Sequence, residues 1–191
     1  MGADGVITMI YTLNDQYYVR PLRLSDVEGD YPLWFENPDV CQFNSHGKFF
    51  KTIDYFRHYI ETINLEDKVV WAICHQADGH IGNISLQEIS MINRNAELAI
   101  IIGNKKHWGQ GVGKLAGVKL IQHGLYKLNL ERIYCNTAAT NQAMKALAIS
   151  LGMIQEGCRR KHLFIDGEWV DLVEYGLLRE DVDFEKDIYL K

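Results

Sequence analysis

The segment that most constrains the fold is an apolar run followed by a glycine-rich loop and a helical repeat. Residues 96–103 read AELAIIIG, which predicts a strand that is apolar on both faces and therefore central in a sheet. Residues 107–113 read HWGQGVG and place glycines at alternate positions. From Gly111 to Tyr126 apolar residues recur at helical spacing. Such glycines let backbone N–H groups approach a ligand closely, and at a helix N-terminus that ligand is often a phosphate.

Residues 111–116 match a dinucleotide-binding pattern, G-x-G-x-x-G/A, but their context does not. In that pattern the first glycine follows a strand directly, and an acidic residue ends the next strand. Here seven residues, 104–110, separate Gly103 from Gly111, and Glu131 stands at the start of the next predicted strand. The sequence therefore favours a longer loop whose amides surround a pyrophosphate at the helix N-terminus.

The whole chain, residues 1–191, is predicted to be a single domain with a core at about 17–178. The fold class is α+β, with a mostly antiparallel sheet, one parallel strand pair and helices on its faces. The predicted elements, in order, are a strand at 17–21, a helix from Ser25 or Asp26 to about Phe35, a turn at 37–40, a helix at 52–64, a hairpin at 69–89 turned at Asp78-Gly79, a strand at 96–102, a helix at 111–126, a strand at 132–137, a helix at 141–152, a hairpin at 158–178 turned at Asp166-Gly167, and a solvated acidic end at 179–187.

Composition narrows the class of protein further. The net charge of −5 argues against a nucleic-acid partner, whose binding domain would normally be basic. No apolar stretch approaches the ~20 residues of a membrane span, so no membrane partner is expected. The four cysteines are far apart and predict free thiols in a reducing compartment, so the expected location is cytoplasmic. The histidines show no metal-ligand spacing along the chain, so no metal is predicted.

Two segments carry a resemblance to a known family. Residues 96–125 read AELAIIIGNKKHWGQGVGKLAGVKLIQHGL, and residues 131–153 read ERIYCNTAATNQAMKALAISLGM. Both are similar to the GNAT superfamily of N-acetyltransferases, in particular to its RimJ/RimL-like branch. The resemblance implies a GNAT fold in which acetyl-CoA, the acyl-donor cosubstrate, lies between two parallel strands that splay apart.

Two motifs carry most of this resemblance. The superfamily signature, Arg/Gln-x-x-Gly-x-Gly/Ala, places its glycines at Gly111 and Gly113, with Trp108 at the Arg/Gln position. In the second motif Asn141 stands eleven residues before the glycine of Leu-Gly-Met, 151–153, where the family usually has Leu-Gly-Phe.

The resemblance implies which residues bind acetyl-CoA. They are the backbone of the strand at 96–102, the amides of the glycine-rich loop and two residues of the predicted helix at 141–152. The residues are Ile100, Ile101, Ile102, Trp108, Gly109, Gln110, Gly111, Val112, Gly113, Lys114, Asn141 and Lys145. Each of the last two has a plainer alternative. Asn141 also suits a helix N-cap, and Lys145 suits an exposed helical lysine.

The implied reaction is acetyl transfer to a primary amine by direct attack in a ternary complex. An amine with a pKa of about 10.4 is mostly protonated at pH 7, so a general base helps the attack. Glu97 is the catalytic candidate because it is the only acid in NRNAELAIII, residues 93–102. The alternative is a structural glutamate paired with Arg94 or Arg132.

The usual general acid is missing, because Ala148 stands where many relatives have a tyrosine. Tyr134, Tyr175 or water is then the proton donor for the leaving thiolate. The same departure leaves open a non-catalytic module that only binds acyl-CoA.

The acceptor side is expected in two aromatic-rich stretches, 31–50 and 166–175. Aromatic walls with a few polar groups suit a compact polar ring, although the same aromatics could simply complete the core. Lys48 or Lys51 could pair with a diphosphate. The predicted acceptor is a small-molecule amine such as a nucleotide-linked amino sugar. The alternative acceptor is the N-terminus of a protein, as in ribosomal-protein acetyltransferases. For the oligomeric state, a homodimer is considered beside the monomer. The substrate-binding candidates are His46, Asn136 and Trp169.

Overall fold

The structure, a computed structural model, describes residues 9–63 and 67–182. The strands are β1 (Tyr11–Thr12), β2 (Tyr17–Pro21), β3 (Val69–His75), β4 (Gly79–Ser90), β5 (Asn95–Ile102), β6 (Arg132–Ala138), β7 (Ile154–Ile165) and β8 (Glu168–Leu178). The α-helices are α1 (Pro38–Cys41), α2 (Ile53–Glu61), α3 (Val112–Tyr126) and α4 (Gln142–Ser150). The 3-10 turns are Leu24–Glu28, Pro32–Glu36, His46–Lys48, Lys105–His107 and Arg179–Asp181.

The strands form one eight-stranded sheet in the order β1-β2-β3-β4-β5-β6-β8-β7. All neighbouring pairs are antiparallel except β5 and β6, which α3 connects as a parallel crossover. This arrangement confirms the predicted α+β class with one parallel pair. The long predicted hairpins are also present, and both residues of the Asp166-Gly167 turn have positive φ, 50° and 88°, as a two-residue hairpin of type I′ requires.

The parallel pair is short. β5 and β6 are in register only from Asn95 to Glu97, which lie opposite Arg132 to Tyr134. Beyond Glu97, β5 remains paired with β4 as far as Ile102, whereas β6 remains paired with β8. The two strands therefore separate and leave a cleft at their carboxyl ends.

The main core lies between the sheet and the helices α3 and α4. Its fully buried side chains include Ile84, Leu86, Leu98, Leu120, Leu125 and Ile133. α3 is 15 residues long. No helix within residues 9–63 and 67–182 is long and apolar enough to cross a bilayer.

A second core lies on the opposite face of the sheet and is mostly aromatic. Val27, Tyr31, Trp34 and Phe56 are buried there, with the rings of Tyr31 and Phe56 5.3 Å apart. Beside it Asp26 accepts two hydrogen bonds from Arg20, at 2.5 and 2.8 Å. Burial would raise the pKa of Asp26, but the Arg20 hydrogen bonds and the neighbouring His80 outweigh it and lower the pKa.

The segment before this second core differs from the prediction. The continuous helix expected from Ser25 to Phe35 is instead two 3-10 turns, because Gly29 and Pro32 interrupt the helical hydrogen bonds. The turn predicted at 37–40 is the short helix α1, whose N-cap Asn37 accepts a hydrogen bond from the amide of Asp39. The predicted helix at 52–64 ends at Glu61, and its cap, Thr52, is confirmed.

The cysteines match the expectation of free thiols. Cys41, Cys74 and Cys135 are buried and Cys158 is exposed, and all four are unpaired. The predicted acidic end at 179–187 is described only to residue 182, where Arg179 donates hydrogen bonds to the carbonyls of Leu125 and Leu130.

Gly103, at the end of β5, makes a close contact that its lack of a side chain allows. A Cβ at this position would lie 1.9 Å from Trp34 of the second core. Gly103→Ala is therefore expected to destabilise the fold by about 1–3 kcal/mol through overpacking. Gly113→Ala is the matched control, because its Cβ would meet Ile100 and Leu147 at an ordinary 3.5 Å. Urea unfolding measures both, and equal midpoints for the two variants would contradict this account of the contact.

Candidate active site

The glycine-rich loop between β5 and α3 has the backbone that the sequence pattern predicts. Gly109 and Gly111 have φ angles of 71° and 76°, in the left-handed region that favours glycine. No atom lies within 4 Å of the Cβ that either residue lacks. The loop therefore presents bare backbone to the space beside α3.

This space is also suited to an anion. Gly111 is the N-cap of α3 and offers no capping side chain, so the first amides of the helix lack intrahelical acceptors. An open cavity of about 230 Å³ lies beside them, lined by Gln110, Gly111, Lys114, Leu115 and Val118. Nearby, Lys105 forms an ion pair with Asp39.

The cleft between β5 and β6 exposes backbone groups of β5. The N–H of Gly103 donates to Ile81 on β4, and alternate residues of an antiparallel strand point the same way. Ile101 therefore directs its backbone groups towards β4, whereas Ile100 and Ile102 direct theirs into the cleft. Trp108 partly fills this end, where its indole N–H donates to the carbonyl of Ile102 at 2.8 Å.

The second motif forms the start of α4. Asn141 caps the helix by accepting from the amide of Met144 at 3.1 Å, and its side-chain amide donates to Thr137 at 3.1 Å. Asn141 is therefore the N-cap of α4, as the alternative role for this residue predicted. Lys145 extends back along the same helix end and donates to the carbonyl of Ala139 at 3.3 Å.

Glu97 lies at the closed end of the cleft, at the last position where β5 and β6 pair. It is half-buried, and its two carboxylate oxygens accept one hydrogen bond each. Gln87 donates to Oε2 at 2.8 Å, and Asn136 donates to Oε1 at 3.1 Å. Asn136, predicted as a substrate-binding residue, is thus in direct contact with the predicted catalytic residue.

The alternative role for Glu97, an ion pair with Arg94 or Arg132, is wrong. Arg94 instead pairs with Glu131 at 3.3 Å, and Arg132 pairs with Glu156. Both guanidinium groups are thereby directed to other carboxylates.

Tyr134 is placed on the same side of the sheet as Glu97, opposite it in the parallel pair. Its hydroxyl donates to Glu88 at 3.2 Å. Burial, together with the charge and hydrogen bond of Glu88, raises the pKa of Tyr134 to about 12. The other side chain considered as a general acid, Tyr175, is inaccessible, because it is only 2% exposed.

The remaining substrate-binding candidates lie on two other segments: Trp169 is near the tip of the β7–β8 hairpin, and His46 begins the 3-10 turn His46–Lys48. Trp169 is 61% exposed and packs on Phe164, with ring centroids 5.3 Å apart. Lys48, in the same 3-10 turn as His46, donates to the carbonyl of Phe164 at 2.6 Å and joins the two segments. Burial and the nearby Lys51 ammonium lower the pKa of His46.

The aromatic wall predicted from residues 31–50 is smaller than expected. Tyr31 and Trp34 belong to the second core, so the alternative that these aromatics complete the core is correct for them. Phe49 and Phe50 are exposed. Trp71 and Tyr175 are buried in the main core.

Sequence reasoning missed Gln87 and Glu88. Both lie at an irregularity of β4 between Gln87 and Ser90, where Glu88 adopts a positive φ of 53°. No local signal identifies them, because their contacts to Glu97 and Tyr134 depend on the register of neighbouring strands.

A mostly antiparallel sheet with one splayed parallel pair, and a glycine-rich loop entering the next helix, are the features that the resemblance to GNAT acetyltransferases implies. Residues 17–154 match the family described as Acetyltransferase (GNAT) domain, and the chain belongs to this family of N-acetyltransferases, in its RimJ/RimL-like branch.

Individual relatives support the assignment. The chain is 30% identical over 190 residues to "Putative ribosomal N-acetyltransferase YdaF" of Bacillus subtilis (strain 168), covering 91% of this chain and 97% of the relative. It superimposes with a TM-score of 0.81 on RimL, a ribosomal L7/L12 N-acetyltransferase in complex with coenzyme A, at 18% identity over 91% of this chain and 100% of that one. It also superimposes on the Vibrio cholerae spermidine N-acetyltransferase in complex with CoA and spermine, with a TM-score of 0.78 at 23% identity over 88% and 98% of the two chains.

Proposed function

We propose that the chain transfers an acetyl group from acetyl-CoA to the primary amine of a small molecule, by direct attack in a ternary complex. The observation that carries the proposal is the position of Glu97 at the closed end of the β5–β6 cleft, with the glycine-rich loop at the open end. A donor held along the cleft would have its reactive end next to a carboxylate. Two solved relatives hold coenzyme A.

The chain's own residues fit acetyl-CoA in three places. The amides of Gly109, Gln110, Gly111, Val112 and Gly113 would hold the pyrophosphate. The amides of Trp108 and Lys114, at the two ends of this stretch, already donate to the carbonyls of Lys105 and Gly111. The backbone of Ile100 and Ile102 would pair with the pantetheine arm as an added strand does. Asn141 and Lys145 stand at the N-terminus of α4 beside the same cleft. Ile101, whose backbone faces β4, is left with a supporting role.

Acetyl-CoA supplies an acetyl group already activated as a thioester. Glu97 takes the proton from the acceptor ammonium, directly or through water, because only the neutral amine has a lone pair for attack. Gln87 and Asn136 hold the Glu97 carboxylate in place through their amide hydrogen bonds. The Ile100 N–H, turned into the cleft, is available to a carbonyl oxygen that gains negative charge.

Tyr134 is the proposed proton donor to the leaving thiolate. Its hydroxyl remains protonated at neutral pH, since its pKa is raised to about 12. It lies opposite Glu97 in the parallel pair, so the base and the acid would act from two adjacent strands. Tyr134 would thus take the role of the tyrosine that many relatives have at the position of Ala148.

For the acceptor we propose a nucleotide-linked amino sugar. The side-chain oxygens of Gln87 and Asn136, whose N–H groups hold Glu97, suit the hydroxyls of a sugar ring. Trp169, exposed on the β7–β8 hairpin, suits stacking with a part of the acceptor farther from Glu97. Arg160 and Lys161, exposed on the edge strand β7, suit a diphosphate, whereas the neighbouring Arg159 is paired with Glu174. The relatives named above act on ribosomal proteins or on spermidine, so these acceptors are the direct competitors. The homodimer and the cytoplasmic location stay predictions.

Glu97→Gln is expected to lower kcat by ~10²–10⁴-fold at pH 7 and to leave coenzyme A affinity unchanged, as loss of a general base does. The deficit should shrink as pH rises, because more of the acceptor amine is then already neutral. Glu180→Gln, at an exposed glutamate, is the matched control. Steady-state rates from pH 6 to 10 and calorimetry with coenzyme A measure these effects. Full activity of Glu97→Gln at pH 7 would show that the carboxylate is structural.

The acceptor is tested by thiol release from acetyl-CoA with three sets of amines. These are nucleotide-linked amino sugars, polyamines, and peptides that begin with Ala or Ser. The proposal expects the highest kcat/KM within the first set and no release with the already N-acetylated sugar as control. A higher kcat/KM for any polyamine or peptide than for every sugar would reject the acceptor while leaving the acetyltransferase intact.

A further inference from the structure

Two consecutive side chains of β4 lie on the same face of the sheet. In a regular strand successive side chains alternate between the two faces. Gln87 lies opposite Glu97 and donates to its carboxylate, so it occupies the face of Glu97. Glu88 would then point to the other face, yet its Oε2 accepts a hydrogen bond from the hydroxyl of Tyr134 on the Glu97 face. The Glu88 side chain therefore reaches across β5 to β6.

A β-bulge in β4 accounts for this placement. Residues 87–90 of β4 span the same length as residues 95–97 of β5, so β4 carries one extra residue. Ile89, which regular alternation would put on the face of Glu97, is instead buried in the main core. Glu88 takes up the change of direction with a positive φ of 53°. Bulges commonly redirect a side chain next to an active site.

The backbone at Glu88 is strained for a residue that has a side chain. Its φ lies in the left-handed region, which glycine adopts freely and which residues with a Cβ avoid. Glu88 is exposed, so burial of its own side chain does not compensate for the strain. Strained residues of this kind cluster at functional sites, where the surrounding structure holds them in place. The contact that this strain secures is the hydrogen bond with Tyr134, at 3.2 Å.

We propose that Glu88 is a positioning residue for Tyr134, and that their hydrogen bond holds the hydroxyl in place as the proton donor of the acetyl transfer. The inference rests on the proposed function, in which Tyr134 protonates the leaving thiolate. Glu88 itself does not touch the reacting atoms and acts through the tyrosine. The bulge thus supplies the two residues that orient the site, because Gln87 holds the base and Glu88 holds the acid.

The proton transfers balance over one turnover. The acceptor ammonium loses two protons as its nitrogen becomes an amide. The C–S bond of the thioester breaks with its electron pair on sulfur, and the hydroxyl proton of Tyr134 moves to that sulfur. One of the two acceptor protons, taken up by Glu97, then returns to the tyrosinate through water, and the other leaves to solvent. Tyr134 is therefore protonated again when the next acceptor binds.

The charges that face Tyr134 favour its protonated form. Burial is the largest cause that raises its pKa to about 12, followed by the charge and hydrogen bond of Glu88 and the charge of Glu97 on β5. The Arg132 guanidinium of β6, 6.0 Å from the ring, opposes this shift, and β8 places the uncharged Gly176 opposite Tyr134. A raised pKa keeps the hydroxyl protonated in the alkaline range, where more of the acceptor amine is neutral. The acid and the neutral amine are then available together.

Two substitutions separate the charge of Glu88 from its backbone. Glu88→Gln removes the charge and keeps the length of the side chain and one acceptor oxygen. Glu88→Gly removes the side chain and suits the positive φ. Each is made in the wild type and in Tyr134→Phe, and Glu180→Gln at an exposed glutamate is the matched control. Thiol release from acetyl-CoA is measured between pH 7 and pH 10.5, with the amine of highest kcat/KM in the three sets above, and urea unfolding gives the stability.

Glu88→Gly should lower kcat at least about 10-fold when the Tyr134 hydroxyl is present and less than about 2-fold in Tyr134→Phe, because Glu88 acts through that hydroxyl. Its urea midpoint should equal or exceed that of the wild type, since glycine relieves the strain. For Glu88→Gln, the ratio of kcat at pH 10.5 to kcat at pH 8.5 should fall at least about 2-fold below the wild-type ratio, because the hydroxyl loses its proton at lower pH without the neighbouring charge. Glu180→Gln should behave as the wild type.

Three results would each overturn the proposal. They are equal fold losses from Glu88→Gly with and without the Tyr134 hydroxyl, a urea midpoint of Glu88→Gly below that of the wild type, and a wild-type ratio of the two kcat values in Glu88→Gln. All three leave the acetyl transfer of the wild type in place. A failure of the proposed function is distinct, because the wild type itself would then release no thiol.

Discussion

β5 pairs with β6 over only three residues, and the point where this pairing ends determines the geometry of the site. β5 is held on its other side by β4 along its whole length, and β6 is held by β8 from Arg132 to Ala138. Because both strands have strong partners elsewhere, they separate after Glu97 without unfolding either neighbour. The separation opens a cleft that the backbone groups of Ile100 and Ile102 face. Glu97 lies at the closed end of this cleft.

The partners of Glu97 decide what its carboxylate can do. A guanidinium partner would neutralise it, but Arg94 and Arg132 are directed to Glu131 and Glu156. Glu97 is instead held by two neutral amides from the strands on either side of β5. The side chain is held in position without a charged partner, which agrees with the general-base role proposed for it.

Local patterns predicted most of the elements and long-range contacts decided the rest. The glycine-rich loop, α3, the Asn141 cap and both hairpin turns follow from short-range rules of spacing and turn chemistry. The 25–35 helix failed because Gly29 and Pro32 outweighed its apolar pattern.

Within the site, the sequence predicted Glu97 and Asn136 but not their hydrogen bond. That bond and the one from Gln87 depend on strand register across 39 and 10 positions of the chain. The sequence left open whether Tyr31 and Trp34 line the acceptor site or complete the core, because their packing depends on contacts across the fold, including the close approach of Gly103 to Trp34.

The central claim is that coenzyme A occupies the cleft left by β5 and β6. Residue-resolved amide hydrogen exchange, measured with and without coenzyme A, tests it directly. The account predicts added protection at Ile100, Ile102 and the amides of residues 109–113. Ile101, whose N–H faces β4, should be unchanged and serves as the internal control. Unchanged exchange at Ile100 and Ile102 in the presence of saturating coenzyme A would contradict the claim.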